Sequence, residues 1–244
     1  EFALTKEVKR ATVHIAGMGL YELFINGQRI GEQVLAPAPT DYRKTILYNT
    51  YDVTPQLQKE NAIGVILGNG RFYTMRQNYK PYKIPTFGYP KLRLNLIIEY
   101  TDGSRQTIAS DISWKLTTEG PIRSNNEYDG EEYDARKELG DWNRTGYDDT
   151  NWIPAGRVSI PSGTLRAQMM PGMKVTESLK PVSIRKQGDK HILDIGQNMA
   201  GWLRIRIKGQ AGDSIRLRFA ERLQADGEIF TKNLRDAHCT DIYV

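Results

Sequence analysis

Five carboxylates crowd into one short stretch of the chain: Glu127, Asp129, Glu131, Glu132 and Asp134. Two carboxylates held at a fixed separation are what glycoside hydrolysis requires, one as acid and the other as base or nucleophile. The same oxygens could instead hold a hard cation, which takes about six to eight oxygen ligands, and paired sugar hydroxyls can complete such a shell. In an extended segment Glu127, Asp129 and Glu131 point to one face, with Tyr128, Gly130 and Glu132 on the other. Carboxylates from near neighbours on one loop would have to surround the sugar by themselves, and no second acidic run faces them. Three readings stay open: a catalytic pair, a cation or sugar site, and a solvated acidic loop.

Other catalytic arrangements are missing from the sequence. His14, His191 and His238 are far apart, and none belongs to a His-Glu-x-x-His pattern or a paired metal spacing. The glycine-rich stretch 64–70 lacks the lysine and hydroxyl residue of a phosphate loop, and no serine sits in a nucleophile elbow. No catalytic residue is therefore assigned. Cys239 is the single cysteine, so no intrachain disulfide forms and the redox compartment stays open. The net charge is +5, but Lys and Arg are interspersed with Asp and Glu, which argues against a nucleic-acid partner. No run approaches the roughly 20 apolar residues of a transmembrane helix, so no membrane partner is expected. The first residues, Glu1 to Lys6, carry no charged and apolar leader pattern and start on strand-like sequence, as in a piece from inside a longer protein.

Residues 72–89 bring together Phe72, Tyr73, Tyr79, Tyr82, Phe87 and Tyr89, interrupted by Pro81 and Pro85 and followed by Pro90. This is the composition of a long irregular loop. Its rings could stack on sugar faces or close the end of a sandwich.

The elements that must position these groups read as β throughout. Val8, Ala11, Val13 and Ile15 form one short apolar run and 20–25 another, and Asn26-Gly27 after it predicts a two-residue hairpin because both residues tolerate positive φ. Residues 45–51 are rich in β-branched and aromatic side chains, Thr54-Pro55 predicts an N-cap and one helical turn, and 62–67 returns to strand. Leu92, Leu94, Leu96 and Ile98 alternate with Arg93, Asn95, Ile97 and Glu99, the period of a half-buried strand, closed by a turn at 101–104. A further alternation sets Leu203, Ile205 and Ile207 against Arg204, Arg206 and Lys208; another sets Ile215, Leu217 and Phe219 against Arg216 and Arg218, and these two strands are expected to pair. No helical crossover separates the strands, which excludes a parallel α/β sheet. The expected fold is all-β: two consecutive antiparallel β-sandwiches of jelly-roll or concanavalin-like type. Residues 1–155 form the first, 156–172 a linker and 173–244 the start of a second that is truncated, or completed by sequence beyond Val244.

Five further segments point to a family: Tyr21 to Gly31, Thr40-Asp41-Tyr42-Arg43-Lys44, Gly68-Asn69-Gly70, Gly196-Gln197-Asn198-Met199-Ala200-Gly201-Trp202 and Asn233-Leu234-Arg235-Asp236-Ala237. With Tyr128 to Arg136 they make the chain resemble, in order and over nearly its whole length, the non-catalytic N-terminal part of bacterial α-L-rhamnosidases. The resemblance implies a multidomain inverting glycoside hydrolase whose carboxylates lie in an (α/α) helical barrel not seen in this chain. The fragment is then an accessory region, inactive alone, and alternatively an autonomous carbohydrate-binding module or a structural spacer bracing the barrel. A polysaccharide-degrading parent would work in the periplasm or outside the cell. The resemblance also implies a rhamnose-binding module assisted by Ca2+, with Asn69, Arg71, Tyr128, Glu131 and Glu132 toward the glycan and Asp41 and Asp129 toward the metal, although no cofactor is required. Arg71 follows the Asn-Gly pair where many family members carry an aromatic residue. In the 196–202 motif Trp202 would plug a sandwich end, or Gln197, Asn198 and Trp202 would contact the barrel of the same polypeptide.

Overall fold

The structure, a computed structural model, describes residues 1–74 and 86–244, so Tyr79, Pro81, Tyr82 and Pro85 lie outside the described residues. The described residues are all-β, with three short 3-10 turns. They divide into two compact units, residues 1–120 with 138–174 and residues 121–137 with 175–244.

Unit 1 is a sandwich of two sheets. The larger runs in the order Thr164–Ala167, Thr45–Asp52, Val8–Met18, Lys91–Tyr100, Arg105–Ala109; the smaller runs Gln28–Arg29, Leu20–Ile25, Ile63–Gly68. Alternation explains what lies between them. Ala11, Val13, Ile15, Leu94, Leu96 and Ile98 from the larger sheet meet Leu23 and Ile25 from the smaller, and all eight are fully buried. The Asn26-Gly27 hairpin forms as expected, with Phe24 opposite Arg29 and φ of 51° and 79° at the two turn residues. Asn26 is also the centre of a buried polar network. Its Nδ2 donates to Gln56 O and Asn61 Oδ1, both at 2.9 Å, and its Oδ1 accepts from Ala62 N at 2.9 Å. An Asn in the left-handed region thus satisfies backbone groups of the 3-10 turn and of Ala62, just before the strand Ile63–Gly68.

Two local expectations change. Thr54 lies inside its 3-10 turn, which Val53 caps, because its Oγ1 is drawn away to accept from Ala11 N at 2.8 Å. The expected linker 156–172 contains a strand, Thr164–Ala167, which adds in parallel to Thr45–Asp52, with Leu165 beside Ile46. Gly163 permits this approach, since a Cβ there would sit 2.3 Å from Tyr42 O.

Unit 2 contains a four-stranded sheet in the order Ile122–Asn126, Gly130–Tyr133, Thr240–Tyr243, Ile215–Arg218, and a separate hairpin of Ser183–Gln187 with Lys190–Asp194. The expected boundary at 155 therefore differs from the observed division: residues 121–137 are laddered to the strand 240–243, with Glu132 beside Ile242. Gly130 allows the contact, because a Cβ there would fall 2.1 Å from Thr240 O. Residues 203–208 form no strand, and Ile205 and Ile207 stay exposed; the ladder partner of Ile215–Arg218 is Thr240–Tyr243 instead. Every described residue classed as buried lies in unit 1.

Candidate functional site

In unit 1 the strand Ile63–Gly68 ends in a tight turn at Asn69 to Tyr73. Phe72 N and Tyr73 N both donate to Asn69 O at 3.2 Å, and Gly70 takes φ 47°. The turn sends consecutive rings in opposite directions. Phe72 is fully buried, stacks on Phe87 at 5.4 Å and meets Tyr42 edge-on at 5.0 Å, in a second core cluster with Ala16, Met18 and Ile46. Tyr73 instead pairs with Tyr89, ring centroids 4.9 Å apart. Lys91 holds the two layers together: its Nζ lies 4.7 Å from the Phe72 ring centre and donates to Phe87 O at 3.3 Å and Tyr89 O at 3.2 Å. Asn69 and Arg71 therefore share one turn with an inward and an outward aromatic.

Asp41 opens the turn before Thr45–Asp52, where its carbonyl accepts from Lys44 N at 2.8 Å and Thr45 N at 3.0 Å. Both carboxylate oxygens are engaged by one guanidinium, Arg43 Nε to Oδ1 at 2.9 Å and Nη2 to Oδ2 at 3.1 Å, and Oδ1 also accepts from Arg43 N. The bidentate pair holds the Asp41 carboxyl below the usual carboxylate range. Among the described residues no three His, Cys, Asp or Glu side chains are grouped to hold a metal ion. The residues present do not fit calcium at Asp41, because the expected ligand already has a cation of its own. Millimolar calcium is accordingly expected to leave the melting temperature unchanged in both the parent chain and Asp41→Ala. A calcium-dependent rise that disappears in Asp41→Ala would show that the ion displaces Arg43.

Tyr128, Asp129, Glu131 and Glu132 belong to unit 2, and Asp41, Asn69 and Arg71 belong to unit 1. Residues 127–129 form the turn of the hairpin rather than an extended strand, which removes the expected one-face alignment of Glu127, Asp129 and Glu131. Asn126 Oδ1 closes that turn by accepting from Tyr128 N at 2.8 Å. Asp129 is tied to the neighbouring turn: its Oδ1 accepts from His238 N at 3.1 Å and its carbonyl from Thr240 N at 2.8 Å. Glu131 N donates to Asp241 Oδ1 at 2.9 Å. Asp134 is paired with Arg136 at 2.8 Å, which lowers its pKa to about 2. The acidic run is thus partly consumed in holding its own hairpin.

In the 196–202 segment Gly196 takes φ 82° and donates its N–H to Asp194 Oδ1 at 2.8 Å. Gln197 and Asn198 are exposed, and Trp202 is 59% exposed, so it does not plug unit 2. Composition does not sort the described rings, Phe72, Tyr73, Phe87 and Tyr89, into buried and exposed pairs, and that sorting is what defines the turn as a candidate site. Sequence reasoning also left out Trp142, Tyr147 and Trp152. Trp142 packs over Phe24 and over Gly64, where a Cβ would meet it at 2.5 Å, and Trp152 stacks on Trp142 and meets Tyr147 edge-on. The available signal was the pair Asp141-Trp142-Asn143 and Asn151-Trp152.

Residues 6–177 match the family model of the α-L-rhamnosidase N-terminal domain, and 184–244 match that of the bacterial α-L-rhamnosidase concanavalin-like domain. The chain is 41% identical over 230 residues to an α-L-rhamnosidase of Formosa agariphila and 40% identical over 256 residues to one of Streptomyces avermitilis, covering 92% and 100% of this chain. Among solved structures it is similar to an α-L-rhamnosidase from Dictyoglumus thermophilum, with a TM-score of 0.91 at 42% identity over 99% of the chain. The Streptomyces avermitilis enzyme complexed with L-rhamnose gives 0.91 at 37% over 100%. The chain spans about a quarter of the length of these relatives, 24% of both curated proteins and 27% and 24% of the two structures.

Proposed function

The chain belongs to the α-L-rhamnosidase family, and from that premise we propose that it serves as the accessory, non-catalytic β-sandwich region of an enzyme that releases terminal L-rhamnose from polysaccharides or glycosides. The observation that carries this reading is the tandem match, N-terminal domain and then concanavalin-like domain, along nearly the whole chain. The carboxylate chemistry supports it. An acid catalyst for glycoside cleavage needs a raised pKa, whereas Asp41, Asp52, Asp102, Asp111, Asp134 and Asp148 are each held below the usual carboxylate range. Exposed Gln197, Asn198 and Trp202 are suited to contact the rest of such a polypeptide, including its helical barrel.

A second reading, carbohydrate binding by unit 1, is favoured by the outward Tyr73 and Tyr89 pair beside Asn69 and Arg71. L-Rhamnose is the ligand of choice because it is bound by a solved relative. The first reading is tested on the longer polypeptide that carries this chain. It is expected to release L-rhamnose from an aryl α-L-rhamnoside; a folded polypeptide with no turnover of any such substrate would overturn it.

A further inference from the structure

Asn26-Gly27 is one of two Asn-Gly pairs in the chain, the other being Asn69-Gly70. Beyond its use in a turn, this dipeptide has a chemistry of its own. The backbone nitrogen that follows an asparagine can attack that asparagine's Cγ, and a glycine in the second place has no side chain to hinder the approach. At Asn26 the fold ties down each polar atom that the reaction has to move. Nδ2, the leaving nitrogen, donates to Gln56 O and Asn61 Oδ1, and Oδ1 accepts from Ala62 N, all at 2.9 Å. The attacking nitrogen, Gly27 N, donates to Asn143 O at 2.9 Å. Asn61 is fully buried and is itself fixed by Gln58, whose N donates to Asn61 Oδ1 at 2.8 Å and whose O accepts from Asn61 Nδ2 at 2.6 Å. Asn26 is 8% exposed, which leaves little access for the water that the reaction consumes.

We propose that Asn26-Gly27 is a self-deamidation site that the fold of unit 1 holds closed, and that unfolding opens it to a change that blocks refolding. When unit 1 opens, Gly27 N attacks Asn26 Cγ. The N–Cγ bond forms, the Gly27 N–H proton passes through solvent to Nδ2, and the Cγ–Nδ2 bond breaks to release ammonia. The cyclic imide then takes up one water and opens at either carbonyl, leaving aspartate or isoaspartate at position 26. Nothing is oxidised or reduced, and water is the one co-reactant. Neither product fits the native turn. A carboxylate has no N–H to give Gln56 O and Asn61 Oδ1, and it sets a negative charge against two acceptors in a nearly closed site. Isoaspartate also inserts one methylene into the backbone of a two-residue turn, which breaks the register that puts Phe24 opposite Arg29 and Ile25 opposite Gln28. The network that orders the native hairpin thus turns each lasting excursion of unit 1 into a chance of permanent loss, a chemical limit on its working life.

The test follows amide-to-acid conversion at Asn26 in the 244-residue chain. Peptide mass mapping and isoaspartate-specific methylation read it in mildly alkaline buffer, with and without guanidinium chloride. Asn69-Gly70 in the denatured chain sets the unprotected rate, which denatured Asn26 should share. In the native chain Asn26 is expected to convert at least about a hundredfold more slowly, because reaction waits for the core of unit 1 to open. Native conversion within about tenfold of the denatured rate would overturn the proposal. Asn26→Asp carries one of the two products from the start. Its unit 1 is expected to melt at least about 6 °C below the parent, or not to fold, and a melt equal to the parent's would overturn the block on refolding. Chains denatured briefly should recover the native melting transition, whereas chains held until Asn26 has converted should not; equal recovery of the two would also overturn it. Should brief denaturation already prevent refolding, the rate comparison and Asn26→Asp decide.

Discussion

Leu96→Ala is expected to destabilise unit 1 by about 3 kcal/mol, a fall of roughly 6–12 °C in its melting temperature. Leu96 is fully buried at the centre of the strand Lys91–Tyr100, flanked on the same face by Leu94 and Ile98. It belongs to the cluster in which the larger sheet meets Leu23 and Ile25 of the smaller one. Truncation removes the transfer free energy of the lost methyls and leaves a cavity that two close-packed sheets close only in part. Leu217→Ala in unit 2 is the comparison. Leu217 occupies the equivalent inward phase of the strand Ile215–Arg218 but is only half-buried, so its loss is expected to cost about 1 kcal/mol or less. Calorimetry that resolves the two units should show the larger effect on unit 1 alone. Equal losses in the two variants would mean that unit 2 holds a core as tight as that of unit 1.

The contrast also marks where sequence reasoning succeeds. The strand Lys91–Tyr100 and the Asn26-Gly27 hairpin are legible because their determinants are local: a period of two in one case, two residues that tolerate positive φ in the other. The parallel addition of Thr164–Ala167 to Thr45–Asp52 is not, because its partners are far apart in sequence and nothing in either segment specifies the other. The same holds for residues 121–137, which join unit 2 by pairing with a strand about a hundred residues later. The alternation at 203–208 is real, yet period alone does not supply a ladder partner. At the candidate site, composition located the aromatic loop but not its two layers. Phe72 is buried while Tyr73 pairs with the exposed Tyr89, on a turn closed by two amides that donate to Asn69 O, a detail that no count of rings contains. Asp41 is a metal ligand only by what the resemblance implies, while Arg43, which pairs with its carboxylate, stands two positions away.

The largest effect expected of this protein is an absence of turnover: residues 1–244 alone should hydrolyse an aryl α-L-rhamnoside no faster than buffer. Glycosidases accelerate their reaction by many powers of ten, typically about 10⁶-fold or more, and that requires a protonated acid near the leaving group and a second carboxylate opposite it. Asp129 Oδ1 instead accepts the amide of His238, Asp134 is paired with Arg136, and Asp41 is clamped by Arg43. The adjacent Glu131 and Glu132 sit on one short strand, Gly130–Tyr133, where successive side chains point to opposite faces and enclose no sugar between them. The most direct measurement is release of the aryl group by the purified 244-residue chain at high protein concentration, beside its Glu131→Gln and Asp129→Asn variants. The account predicts a rate indistinguishable from buffer in all three. Turnover by the parent chain that is lost in both variants would contradict it, because the acidic hairpin would then be an active site.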